Sequence, residues 1–409
     1  MKIAIAGYGV EGKASYDYWR TGDSELVVVD EREHVDVPAG VAAIVGADAF
    51  SKLASFDRII RSPSISPEKL PYGDKVWSAT NEFFAQCPAP IIGVTGTKGK
   101  GTTCSLIVAI LRAAGKTVHL VGNIGTPALE VLPQIQPGDI VVYELSSFQL
   151  WDLEKSPHVA VVLPIEADHL DVHSSFDEYL AAKTNIAAHQ TADDFVIFNK
   201  NNEYARRIAA ASPAQKIEYP FAIEEFVPSL QLPGAHNQEN AAAAIAVARL
   251  FDMSAEAIKD GLKSFTGLSH RLKFVAEKQG VKWYDDSIAT TPGSAIAAIN
   301  SFEQPKVLLL GGHDKGSDYT ELMKKCAEKN VHVVAYGANR EQLKELCDSA
   351  GVRCDVEAGD MQVVVAYAAH IATPGSVVVL SPAAASFDMF RNYADRGEQF
   401  IAAVHQLAD

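Results

Sequence analysis

The sequence predicts an α/β protein with parallel sheets covered on both faces, organised in three segments. Three observations carry that expectation. Short, near-continuous apolar runs rich in Val, Ile and Leu alternate with helix-length amphipathic stretches along the whole chain, the pattern of strands buried on both faces. A length of 409 residues sets an expectation of two or three domains. Each of three segments also opens on its own strand–turn–helix pattern.

The runs include Lys2–Ala6, Leu26–Asp30, Ile91–Thr95, Ile140–Leu145, Val159–Pro164, Phe195–Asn199, Lys306–Gly311, Val331–Tyr336 and Val377–Ser381. The first segment starts at Met1 and reaches the proline-punctuated stretch Cys87-Pro88-Ala89-Pro90, a boundary signal. The second starts at Ile91 and runs to about Leu268, with a helical run at Ser105–Ala114. The third covers the rest and ends on about 20 residues of helical pattern.

Composition narrows the function classes. Hydrophobic residues at 48% and charged residues at 21% are ordinary globular usage. A net charge of −15 argues against coating nucleic acid or anionic lipid through bulk charge. It leaves room for an anionic small substrate held by a few placed cations. Five scattered cysteines without a C-x-x-C pair indicate neither a disulfide framework nor a zinc site. The start MKIAIAGYGV has no signal-peptide pattern, and no uncharged apolar run reaches the roughly 18 residues of a membrane helix. A cytoplasmic, monomeric protein is expected, with neither nucleic-acid nor membrane partners.

The strongest chemical motif is Gly93-Val-Thr-Gly96-Thr97-Lys98-Gly99-Lys100-Gly101-Thr102-Thr103, after a strand and before a helix. Its glycines let backbone N–H groups close around phosphate oxygens, the helix N-terminus adds positive potential, and Lys100 reaches the outer phosphates. It departs from the strict P-loop, since Gly101 follows Lys100 and the hydroxyl comes one place later. A second glycine turn, Gly7-Tyr8-Gly9-Val10-Glu11-Gly12, follows the first strand, and Asp30 ends the next. The spacing suits dinucleotide binding. Glu11, a carboxylate where a pyrophosphate would lie, together with the downstream nucleotide loop, argues against a dehydrogenase and for another nucleotide-bearing substrate.

Glu144 closes a strand about 45 residues after the phosphate loop, the place for a Mg²⁺-binding carboxylate; Asp168-His169 follows the next strand. In the third segment lie His270-Arg271, Asp285-Asp286-Ser287, Gly311-Gly312-His313-Asp314-Lys315 and Ser381–Phe387. All but the first sit just after expected strands, where open parallel sheets bind ligands. The residues by themselves thus indicate an ATP- or GTP-dependent enzyme using Mg²⁺, with a second nucleotide-like site and a third segment carrying part of a site.

These motifs together resemble those of the Mur ligases of peptidoglycan synthesis. The likeness spans nearly the whole chain through Thr95–Lys100, Gly122-Asn123-Ile124-Gly125, Glu144–Gln149, Glu166–Asp171, Tyr179–Lys183, Gly234–Asn240, His270-Arg271 and Ser381–Phe400, in the family's order. The segments Glu144–Gln149 and Ser381–Phe400 are the most specific for the member that adds D-glutamate. The resemblance implies a Rossmann-like domain for the UDP-substrate (1–88), a central P-loop ATPase-like domain with a mostly parallel sheet (89–268), and a Rossmann-like domain for the amino acid and for closure (269–409). It implies that ATP phosphorylates the alanyl carboxylate of UDP-N-acetylmuramoyl-L-alanine, and that the amine of glutamate displaces phosphate to form an amide.

The same resemblance assigns residues. Gly96, Thr97, Lys98, Gly99, Lys100, Gly101 and Thr102 would cradle ATP, with Asn237 and Asn240 on the adenine side, Arg271 at the γ-phosphate, and Asp286 nearby. Glu144 would hold one Mg²⁺, with Thr102 supplying a hydroxyl; His169 and a carbamylated Lys183 would hold a second. Lys100, Glu144, His169, Lys183 and Arg271 form the catalytic set. Gly9, Val10, Glu11, Asp30, Arg32, Ser62, Pro63, Asn123, Ser146 and Gln149 would bind the UDP-substrate. Thr290, Lys315, Ser386, Phe387 and Tyr393 would bind glutamate. The chain departs from the family pattern at Glu11, Ser64, Lys98, Gly101 and Ile288; the last replaces a lysine and leaves L-glutamate an alternative to D-glutamate. A ligase adding glutamate to a folate and a non-catalytic nucleotide-binding module are further alternatives.

Overall fold

In a computed structural model describing residues 1–408 apart from Tyr72, Asp171 and Lys315, all nine apolar runs become strands. The first segment contains β1 (Lys2–Ala6), α1 (Val10–Trp19), β2 (Glu25–Asp30), β3 (Ala42–Val45), β4 (Arg58–Arg61), β5 (Val76–Ser78) and α2 (Ala79–Gln86). Its sheet is parallel in the order β3-β2-β1-β4-β5. β1 is therefore the strand at which the order reverses, and its carboxyl end opens on a crevice.

The second segment holds β6 (Ile91–Thr95), α3 (Lys100–Ala113), β7 (Val118–Gly122), α4 (Ala128–Val131), β8 (Ile140–Glu144), α5 (Ser147–Leu150), β9 (Val159–Val162), α6 (Phe176–Ala188), β10 (Phe195–Asn199), α7 (Glu203–Ala211), β11 (Gln215–Tyr219), α8 (Ala235–Leu250) and α9 (Ala255–Ser264). Its parallel sheet runs β11-β10-β9-β6-β8-β7, so the phosphate loop leaves β6 between β9 and β8. Helix α3 begins at Lys100, five residues before the run expected at Ser105. Gly99, at φ +86°, turns the chain left-handed there, and a Cβ on it would stand 2.4 Å from Asn240 Oδ1. Only glycine fits.

The third segment carries β12 (Lys273–Lys278), β13 (Val281–Asp285), α10 (Pro292–Asn300), β14 (Lys306–Gly311), α11 (Thr320–Glu328), β15 (His332–Tyr336), α12 (Arg340–Ser349), β16 (Cys354–Val356), α13 (Met361–Ile371), β17 (Val377–Leu380) and α14 (Tyr393–Gln406). Its order is β12-β13-β17-β14-β15-β16. Here the parallel expectation is corrected: β12 and β13 pair antiparallel, while the remaining pairs are parallel. Gln279 and Gly280, at φ +51° and +73°, form a two-residue hairpin between the partners Lys278 and Val281. Positive φ at both positions matches the right-handed twist of the strands.

By internal contacts the chain divides into two compact units, Met1–Ser229 with Gln238–Ser264 and Leu230–Asn237 with Phe265–Asp409. Within the first unit, Phe83 and Phe84 of α2 sit in the core of the second segment, edge-on and tilted against Tyr143 at 5.4 and 5.7 Å. No helix among the described residues is long and apolar enough to cross a membrane.

Candidate active site

The phosphate loop is held from behind. Thr97 N donates to Pro164 O at 2.9 Å. The Thr97 hydroxyl bonds Glu166 O, Glu166 N and the Tyr179 hydroxyl at 2.9 to 3.0 Å. That hydroxyl is consumed by the protein, so Thr97 offers a ligand its backbone alone. Lys98 is exposed, 3.7 Å from an equally exposed Glu166, a pair worth little. Lys100 Nζ folds over the loop and donates to Gly96 O and Thr97 O at 3.1 and 2.9 Å.

In the first turn of α3, Thr103 donates to Asn240 Oδ1 at 3.3 Å. The hydroxyl of buried Thr102 makes no hydrogen bond among the described residues, which leaves it able to meet a ligand where Gly101 cannot. Glu144 ends β8 opposite Val94 of β6, beside the strand that launches the loop. Its buried carboxylate accepts from Asn123 Nδ2 at 3.1 Å.

Lys183 reaches the same place from α6. Its Nζ is buried, donates to Gly96 O at 2.9 Å, and lies 4.6 Å from the Tyr179 ring centre. Burial, helped by the Lys100 cation, pushes the Lys183 ammonium well below its ordinary range. The neutral amine so favoured is the form that adds carbon dioxide. His169 is placed differently: at φ +55° it stands half-exposed on the loop after β9, ring against Phe148 at 5.1 Å. Among the described residues no group of three His, Cys, Asp or Glu is gathered to hold a metal. Glu144 and the Thr102 hydroxyl are oxygen donors suited to Mg²⁺. Lys183 joins such a set only as a carbamate.

At the first sheet, the glycine turn is tied down by residues expected to bind the UDP-substrate. Asp30 accepts from Tyr8 N at 2.8 Å, from Arg32 Nε and Nη2 at 2.9 and 2.7 Å and from Arg32 N at 3.0 Å. The Arg32 hydrogen bonds hold its carboxyl down at about 2. With its lone pairs filled, Asp30 positions the turn and Arg32. Ser62 Oγ donates to Gly7 O at 2.7 Å. A Cβ on Gly12 would meet the same oxygen at 2.0 Å. Gly9 caps α1 without a side-chain bond, and Val10 is exposed. Ser146 and Gln149 form a reciprocal capping box on α5.

The second unit gathers its own residues at the carboxyl ends of β13, β14 and β17. His270 Nδ1 meets Asp285 Oδ2 at 2.7 Å. Asp286 accepts from Leu272 N at 3.0 Å and Ser381 Oγ at 2.8 Å, and burial pushes its carboxyl up to about 7. Paired backbone bonds between His313 and Ala385 zip two of the loops together. Buried Ser386 starts the turn that ends at Phe390. Phe387 is 68% exposed, and Tyr393 lies edge-on to His270 at 6.2 Å. Arg271 and Thr290 are exposed. Asn237 belongs to this unit, with Nδ2 donating to Pro233 O at 2.7 Å, whereas Asn240 belongs to the first. Lys315 lies outside the described residues.

Three residues given no role from sequence organise these sites. Arg61, fully buried, donates from Nε and Nη2 to both oxygens of Asp152 at 2.8 and 2.6 Å and from Nη1 to Pro63 O and Ile65 O. It thereby fixes the Ser62-Pro63 turn; the only trace in sequence is a cation ending an apolar run. His173 stacks on Phe148 and bonds Glu178 and Ser147. Arg396, fully buried, donates to Ser287 Oγ, Ser287 O, Ala384 O and Ala385 O at 2.9, 2.7, 3.1 and 3.3 Å.

A glycine loop and helix N-terminus at a sheet's switch point, with a buried carboxylate on the neighbouring strand, define a nucleotide-binding α/β protein of the P-loop kind. The Mur ligase middle domain matches residues 94–225 and the Mur ligase glutamate ligase domain residues 270–384. The chain is 34% identical to the UDP-N-acetylmuramoylalanine--D-glutamate ligase of Symbiobacterium thermophilum across 100% of this chain and 98% of that protein. It is 35% identical to the enzyme of that name from Streptococcus thermophilus, across 99% and 97%. Among solved structures it resembles the UDP-N-acetylmuramate-alanine ligase MurC of Thermotoga maritima, at TM-score 0.61 and 16% identity over 99% of each chain. The chain belongs to the Mur ligase family.

Proposed function

We propose that this protein joins D-glutamate to the alanyl carboxylate of UDP-N-acetylmuramoyl-L-alanine at the expense of ATP, releasing ADP and phosphate. The observation that carries the reading is the full-length likeness, at 34–35% identity, to ligases named for that reaction. The loop, Glu144 and Lys183 supply the chemistry it needs. Domain limits of 1–88, 89–268 and 269–409, a cytoplasmic location and a monomeric state accompany this reading.

The alanyl carboxylate oxygen attacks the γ-phosphorus of ATP and ADP leaves. The glutamate amine then attacks the acyl carbon, its proton is lost and phosphate departs. Two polyanions must approach, so Lys100 and the outward amides at the start of α3 offset charge on the phosphates. Glu144, Thr102, His169 and carbamylated Lys183 are the residues that would hold Mg²⁺. Bound there, Mg²⁺ would neutralise phosphate charge and orient the γ-phosphoryl group. Arg271 would meet that group, and Thr290, Lys315, Ser386, Phe387 and Tyr393 would take the incoming glutamate.

Incubation with ATP, Mg²⁺, UDP-N-acetylmuramoyl-L-alanine and D-glutamate should release phosphate, and L-glutamate should replace D-glutamate poorly. Phosphate release indifferent to the UDP-sugar removes the reading, and preference for L-glutamate redirects it. Lys183→Ala should lower activity by at least about 100-fold (near 3 kcal/mol), with partial recovery in added formate. Unchanged activity would show that no carbamate acts there.

A further inference from the structure

Glu11 is a carboxylate placed where an anion is expected. It is the second residue of α1, after a strand at which the sheet order reverses. The adjoining amides, with no side-chain cap on Gly9, suit a diphosphate. The groups around Glu11 are unusual for an ionised carboxylate. From α5, Gln149 Nε2 donates to Glu11 Oε1 at 3.3 Å. That orientation is forced, because Gln149 Oε1 is already taken by Ser146 N and Ser146 Oγ, both at 3.0 Å.

From α4, exposed Glu130 adds a like charge that Glu11 feels, and from β8 the Tyr143 phenol feels the Glu11 charge. Towards β2, Asp30 is occupied by Arg32 and Tyr8 N. On α1 itself, Lys13 points to the Tyr8 ring, 5.9 Å from its centre. Among the described residues no cation pairs with Glu11.

A diphosphate diester only accepts hydrogen bonds. An ionised Glu11 would repel it, whereas a protonated one presents an O–H donor while Oε1 keeps its bond from Gln149. We propose that Glu11 meets the diphosphate of the UDP-sugar as the neutral acid, so that this substrate binds together with one proton. The inference rests on the reading above that the first domain holds the UDP-sugar.

Burial, opposed by the Gln149 hydrogen bond and reinforced by Glu130, pushes the Glu11 carboxyl up to about 7. The sign follows. Well below pH 7 the acid is already protonated and binding is at full strength. Above it the proton must be taken up, and affinity falls by about tenfold per pH unit. The diphosphate diester itself has no titration in that range to confuse the count.

The test is calorimetric titration of the full chain with UDP-N-acetylmuramoyl-L-alanine, without ATP, from pH 6 to 9 in buffers of low and high ionisation enthalpy. Wild type should take up close to one proton at pH 8 and bind roughly fivefold more weakly there than at pH 7, and roughly tenfold more weakly again at pH 9. Glu11→Gln should take up none and keep one affinity across the range. Proton uptake no greater in wild type than in E11Q overturns the inference, as does an E11Q affinity below that of wild type at pH 8. Should E11Q not fold, the wild-type proton count decides. Failure of wild type to bind the UDP-sugar at any pH instead overturns the assignment of the first domain, a separate result.

Discussion

Lys100→Ala should lower kcat/KM for phosphate release by about 100- to 1,000-fold, roughly 3–4 kcal/mol of transition-state stabilisation, while the protein stays folded. The size follows from where charge develops. As the γ-phosphoryl group passes between two oxygens, its charge spreads over its equatorial oxygens, and a cation already fixed at the loop costs no reorganisation. Lys100 is fixed in that way: Gly96 O and Thr97 O hold its Nζ at 3.1 and 2.9 Å. Folding should survive because the loop keeps its other anchors, Thr97 on Glu166 and Tyr179. Melting by circular dichroism within a few degrees of wild type, with the loss in rate, is the expected pair of results. A rate within threefold of wild type would remove Lys100 from the phosphate site.

Arg396→Ala should destabilise the second unit by about 3–5 kcal/mol, since a buried cation leaves several acceptors and a cavity behind. Ser287 O and Ala384 O would lose their donor together, Ala385 O would keep only the bond from His313 N, and the guanidinium site is fully buried. These acceptors belong to the segments carrying Asp286, Thr290 and Ser386, so the glutamate KM should rise as well. Calorimetry on the full chain should show a transition lowered by roughly 10 °C. Arg396→Lys should recover little, because one ammonium cannot span the acceptors that a planar fork reaches. A transition within 2 °C of wild type would mean that solvent or repacking replaces the guanidinium.

The strands legible in sequence are those buried on both faces, as in the fully buried patterns of β6, β8, β9 and β14. The runs missed are largely the sheet edges: β3, β5, β7, β11, β12 and β16. An edge strand faces solvent and carries polar residues, as Gln215-Lys216 and Glu218 do in β11, so no continuous apolar run marks it. The interior strand β4 was hidden too, because buried Arg61 and Arg58 flank only two isoleucines. Helix α3 begins five residues before its apolar run for a related reason. Gly101, Thr102 and Thr103 are weak helix formers, and the left-handed turn at Gly99 that launches them is set by contact with Asn240.

The site divides along the same line. Sequence by itself determined the α/β class, the phosphate loop, Glu144 at a strand end and the order of the family's motifs, because each is written in neighbouring residues or in a short period. Only the tertiary structure decided that Asp30 and Thr97 spend their side chains on the protein. It also decided that Arg61 and Arg396 are buried hubs, that Lys183 comes from α6 to the Gly96 carbonyl, and that Glu11 meets an amide and, among the described residues, no cation. Those properties depend on which groups meet across long stretches of chain and on how much water remains between them, and neither quantity is local.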